Sequence, residues 1–348
     1  MNSLKVCLIG IVLVFIHDSV FAQIGETKTV AIPVGNNLPP LRVLVVNSER
    51  FPPLGKGAVE KIIATTTSLI QSHFGVSISF ITPRFTSLEK LATNLLPAHL
   101  AWARSQTLDL SKADDQATLI QTMRKDLLEN GGTVQDLQRY SAPYLFKPPA
   151  NDTLDAFADA LAYTQVGLMS EWRTQMHSDK KPLLVSDGFA EYSFWLVLGY
   201  TSLPYEIVIT NQLMASAEKI ANSVHSALRG GVTNGLTGSS RGSASGTFSI
   251  LSVFPLVSDD PITTKLRNGK IYSKADSLTY AAAILAHELG HQLFHLGHPF
   301  NNPACLMRPP LRLQFDDWYA QLDPQKCAMG SDDAMTPGRT VRYSEIRK

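Results

Sequence analysis

Residues 287–298 of this 348-residue chain read HELGHQLFHLGH, and four of its nine histidines fall within them. His287 and His291 sit four apart, so in a helix they share one face about one turn apart, near enough to hold a single metal ion. Glu288 completes the pattern H-E-x-x-H, in which two imidazoles bind zinc and the carboxylate acts as general base. The bland alternative is a solvated amphipathic helix that happens to carry histidines, which fits poorly with so many of the chain's imidazoles in twelve residues. His295 continues the same stripe, but eight residues of helix put it about 12 Å along the axis from His287, too far to share the ion. His298 is the better third ligand: Gly297 can end the helix in a left-handed conformation, and Pro299 prevents its continuation. His295 or a downstream acid, Asp316 or Asp317, remains the alternative.

Other candidate chemistry is weaker. GSSRG, residues 238–242, matches the G-x-S-x-G nucleophile elbow with Ser240 as nucleophile, but an elbow needs a strand directly before it and a helix directly after. The surrounding tract, residues 230–246, is rich in glycine and serine and reads as a mobile loop, so the match is ascribed to composition. With 31 basic and 30 acidic residues, nothing points to a nucleic acid or an anionic membrane as partner.

The first 22 residues have one lysine, an apolar run from Val6 to Ile16 and small or aliphatic Val20 and Ala22, which reads as a signal peptide cut after Ala22. The apolar run is too short to span a bilayer. A secreted or periplasmic chain without stable membrane insertion is therefore expected. Removing that leader, with Cys7, leaves Cys305 and Cys327, most simply a disulfide in an oxidising compartment.

These residues need elements to hold them. Ser273, with Asp276 three residues on, starts an alanine-rich helix leading into His287. After a lead-in over 23–40, LRVLVVNSE from Leu41 reads as a buried strand, Gly57 to Phe74 as a helix, and VSISFITP from Val76 as a second, parallel strand. Helical spacing dominates about 87–180, which reads as a helical insertion, with Glu171 and Trp172 on an ordinary helix surface. FWLVLGY, 194–200, is ambiguous between helix and strand, and YEIVIT from Tyr205 is a strand. A helix is expected over about 211–228, and GTFSILSVFPLV, 246–257, reads as an edge strand able to align an extended peptide. One domain over 41–330 and a C-terminal tail, 331–348, complete the organisation.

His287, Glu288 and His291, the Leu296-Gly297-His298 ending and Cys305-Leu306-Met307 together resemble the metzincin metallopeptidases, whose signature is H-E-x-x-H-x-x-G-x-x-H followed by a methionine turn. The arrangement is most similar to the archaemetzincins, which also place Cys-x-Met after the third histidine and a cysteine beyond a C-terminal helix; here that helix falls within LRLQFDDWYAQLDPQKC. Phe294 stands where the family has glycine, and the last histidine arrives one residue late. The resemblance implies an α/β (α+β) zincin fold with a mixed sheet, an active-site helix and a helical insertion. It implies one Zn2+ per chain on His287, His291 and His298, Met307 as an apolar floor, and Cys305 and Cys327 as structural residues. A peptide or protein substrate would be hydrolysed by a zinc-bound water with Glu288 as general base, Tyr319 being available as an oxyanion helper. The competing expectation is a non-catalytic extracellular binding protein on the same scaffold.

Overall fold

A computed structural model of the chain describes residues 38–130, 134–184, 189–201, 203–215, 217–219 and 223–338. The expected leader, most of the lead-in and the end of the tail lie outside the described residues. The architecture is mixed α/β, built on a five-stranded sheet: β1 (Val43–Asn47), β2 (Arg84–Ser87), β3 (Ile207–Thr210), β4 (Gly235–Ser239) and β5 (Thr247–Ser252). The spatial order is β2-β1-β3-β5-β4. All neighbours are parallel except β4, which runs antiparallel to β5.

Period-2 alternation in the central strands decides what covers each face. Val43, Val45, Ile207, Ile209 and Leu251 join one core with Val59, Ile62 and Ile70 of the Lys56–Phe74 helix and Ile284, Leu285 and Leu289 of the Lys274–Phe294 helix. Leu44, Val46, Val208, Phe248 and Ile250 join the opposite core with Trp102 and with Phe194, Trp195 and Leu198 of the Tyr192–Tyr200 helix. FWLVLGY is thus helix, because it caps a sheet face and is buried almost throughout. The two large helices on the first face also touch directly: the Thr66 hydroxyl donates to Ala282 O at 3.2 Å, and the Phe74 and Phe294 rings meet edge to face.

Several expectations are corrected. The second strand is β2, not Val76 onward: Phe80 alone bridges Leu41, and pairing resumes at Leu44 with Arg84. Between these pairs three residues, 81–83, oppose two, 42 and 43, and Pro83, lacking an N–H, sits at the break. Among the described residues of 211–228, the chain is helical only over Val224–Leu228. Before it, the buried Asn211 side chain accepts from Ser48 N at 2.7 Å and donates to Ser48 O and Phe51 O at 3.0 Å, which ties the start of the segment to the chain just after β1. Residues 230–246 contain β4 and are not simply a loop. β4 is therefore the edge, and β5 lies inside the sheet.

Helices fill most of the stretch between β2 and β3, the longest being Ala113–Asn130 and Leu154–Thr174, linked by Arg124 to Asp155 and Asp159. Trp172 is wholly buried rather than on a helix surface, its indole N–H donating to Gly230 O at 2.9 Å. The expected C-terminal helix is the short Phe315–Tyr319 turn, well before Cys327. Residues 331–338 fold back, with Met335 buried and Gly338 N donating to Phe294 O at 3.0 Å. No helix of the described residues is long and apolar enough to cross a membrane.

Candidate metal centre

The Lys274–Phe294 helix starts as its sequence dictates, with Ser273 Oγ accepting from Asp276 N at 3.1 Å. It runs beneath β4 and β5 and ends one turn beyond His291. The residue that ends it is His295, left-handed at φ 54°, with its N–H donating to His291 O. Gly297, expected to make that turn, instead donates its N–H to Ala334 O at 2.6 Å. The residues of 331–338 thus hold the returning loop, and His298 swings back over the helix face.

His287, His291 and His298 are brought together. Their Nε2 atoms are 3.1 Å (287–291), 3.1 Å (287–298) and 2.9 Å (291–298) apart, so the group could hold a metal ion. The proton positions strengthen this. His287 Nδ1 lies 2.8 Å from Leu306 O and His291 Nδ1 lies 2.6 Å from Leu296 O. A carbonyl only accepts, so both Nδ1 atoms carry the hydrogens and both Nε2 atoms present bare lone pairs to one another. Such a pair cannot hydrogen-bond and repels unless a cation lies between, and the carbonyl contacts are the outer-shell partners that fix a ligating tautomer. Burial keeps the rings neutral: it lowers His291 to about 4 and His287 and His298 well below the ordinary imidazole value.

Glu288 lies against β4. Thr237 Oγ1 donates to its Oε2 at 2.9 Å, and a Cβ added at Gly235 would fall 2.3 Å from Oε1. Burial raises its carboxyl to about 7, against opposition from the Thr237 bond and the Arg229 charge. A base poised near neutrality beside three convergent imidazoles suits proton transfer at physiological pH.

Met307 is fully buried beneath the helix; a Cβ on Gly290 would lie 2.2 Å from its Sδ. Cys305 and Cys327 are disulfide-bonded, which ties the Met307 loop to the segment beyond the last helix. The other candidates are elsewhere. Asp316 and Asp317 pair with Lys270, Tyr319 packs on Tyr280, and His295 lies outside the cluster. Ser240 follows β4, but its hydroxyl accepts from Gly242 N and Ser243 N in a turn leading to β5, with no helix to complete an elbow.

Gly235, Thr237, His225 and Arg229 border the site without any motif to announce them. The first two lie in the glycine-serine tract, His225 in the segment expected as a helix over about 211–228, and Arg229 just beyond it. The chain matches no protein-family model, no curated protein and no solved structure.

Proposed function

We propose that this chain is a zinc-dependent metallopeptidase of metzincin type, exported to an oxidising compartment. The observation that carries the reading is the pair of bare Nε2 atoms of His287 and His291 converging with His298 Nε2, one residue from a buried carboxylate. Three neutral imidazoles with a fourth position left over are the donor set of a catalytic rather than a structural zinc. The bound ion supplies Lewis acidity, which makes water acidic enough to attack near neutral pH and polarises a carbonyl.

The protein's own residues do the rest. Glu288 takes the proton of the attacking water and passes it to the leaving amine, and Thr237 orients that carboxylate. Met307 and Leu306 support the histidine helix from below, Leu306 O fixing the His287 tautomer. β4 is the sheet's edge and lies against Glu288, so its outer N–H and C=O groups suit an extended peptide paired by main-chain hydrogen bonds. A disulfide at Cys305–Cys327 fits a secreted or periplasmic protein.

The test is Glu288→Gln. About one zinc per chain by elemental analysis is expected in both proteins, with peptide hydrolysis abolished in the variant alone. Retained hydrolysis would refute the role of Glu288. Zinc binding by a wild type that cleaves nothing would leave the non-catalytic binding protein as the better account.

A further inference from the structure

Addition of water to a peptide carbonyl places a negative charge on the carbonyl oxygen, and the Val224–Leu228 helix carries two groups suited to meet it. The His225 ring lies 4.2 Å from the His298 ring, centroid to centroid, and 5.1 Å from Phe300, on which it stacks. Its Nε2 is buried and has no hydrogen-bond partner among the described residues. A buried polar ring nitrogen without a partner costs about 1–3 kcal/mol, so such a group beside a candidate centre calls for a ligand. Four residues on, Arg229 closes the same helix, and the i, i+4 spacing puts it on the same side as His225. Arg229 is 6% exposed, and its positive charge acts on His225, His287, Glu288, His291 and His298 alike.

The helix is braced from behind. Ser223 Oγ accepts from Ser226 N, Asp126 of the helical insertion accepts from Val224 N at 2.7 Å, and Trp172 donates to Gly230 O. A donor held rigidly beside a site where charge develops needs little reorganisation when the reaction occurs, which favours electrostatic catalysis.

We propose that His225 is a catalytic residue that donates its Nε2–H to the carbonyl oxygen as charge develops there, and that Arg229 supplies compensating positive charge. The inference rests on the peptidase reading. As the water oxygen bonds to the carbonyl carbon, its proton goes to Glu288 and the π pair of the carbonyl moves onto oxygen, which accepts from His225. On collapse that pair re-forms the carbonyl, the C–N bond breaks, and the nitrogen leaves with the proton from Glu288.

The experiment compares zinc-loaded wild type with His225→Ala, His225→Gln and Arg229→Met. The readouts are metal content, kcat and KM for a peptide, and the affinity of a phosphinic peptide whose tetrahedral anionic centre mimics the charged oxygen. In His225→Ala the ion stays, KM moves little, and kcat and phosphinic-peptide affinity fall together by roughly 100- to 1,000-fold, the cost of one lost oxyanion donor. His225→Gln, which keeps an N–H donor, recovers part of the loss, and Arg229→Met shows a smaller parallel fall. Unchanged phosphinic-peptide affinity in a zinc-bearing His225→Ala overturns the proposal while leaving the peptidase intact. Loss of zinc from both His225 variants also overturns it, making His225 a support for His298. A zinc-loaded wild type that cleaves no peptide removes the peptidase reading and this inference together.

Discussion

Among single residues, Gly235 shows how closely the site is fitted. The strand passes so near the general-base candidate that a methyl group there would fall 2.3 Å from Glu288 Oε1. Gly235→Ala should therefore push the carboxylate away from Thr237 while leaving the three imidazoles, none of which is among the atoms nearest the added Cβ, in place. The expected outcome is one ion per chain and kcat lowered by about 100-fold, the cost of misplacing a catalytic group by about 1 Å. Full activity in a correctly folded variant would mean that the carboxylate's position is not set by β4. Sequence reasoning reached His287, Glu288, His291 and His298 because imidazole and carboxylate spacing is written along one helix and its exit. It misassigned the turn, because a left-handed residue after a helix is most often glycine and here is His295. Thr237 was out of reach, since nothing local links it to a residue 51 positions away.

Among helices and strands, glycine again explains what composition concealed. Gly235 and Gly238 made residues 230–246 look like a flexible linker, yet each is required where a strand presses on a neighbour, Glu288 for one and Phe248 for the other. The long helices and the apolar strands β1 and β3 were legible because their periodicity is set by the two sheet faces they bury. The start of the 211–228 segment was not, since Asn211 is held by hydrogen bonds to Ser48 and Phe51, about 160 residues earlier. The same close packing ties the histidine helix to the methionine loop. Gly290→Ala places a Cβ 2.2 Å from Met307 Sδ and 3.2 Å from Phe74 Cζ, overpacking that should cost about 1–3 kcal/mol. Met307→Ala leaves a cavity and should cost about 2–5 kcal/mol. Because the added methyl occupies space the thioether vacates, the double variant should be less destabilised than the sum, by about 1 kcal/mol or more in urea unfolding. Strict additivity would show that the loop does not bear on the helix at Gly290.

Across the molecule as a whole, buried ionisable groups set opposing pH dependences of stability. His73 is nearly buried and lowered by desolvation to about 4, so its contribution is complete above the imidazole's ordinary 6.5 and is lost as pH falls toward 4. Glu218 is wholly buried and desolvation, reinforced by Glu191, raises it to about 8, although Ser193 N and Oγ donate to it. The folded state thus holds that proton more tightly than the unfolded one: the contribution is complete below about 4.5 and is lost as pH rises through 8. Glu288, raised to about 7, acts in the same direction over a narrower range. Histidines of the unfolded chain are still half protonated at 6.5 and oppose the carboxyls up to about 7.5, so the Glu218 contribution shows as the difference from a variant that carries the same histidines. That difference should change by about 2 kcal/mol between about pH 6.5 and about pH 8.5, because a tenfold difference in proton affinity between the folded and unfolded states is worth about 1.4 kcal/mol. Glu218→Gln keeps an acceptor for Ser193 and cannot ionise. Urea unfolding at about pH 6.5 and about pH 8.5, either side of the Glu218 transition, with a chelator present should show wild type losing stability relative to the variant between the two. A variant that falls in parallel with wild type would mean that Glu218 is already ionised in the folded chain, its charge held by the Ser193 donors at the start of the Tyr192–Tyr200 helix.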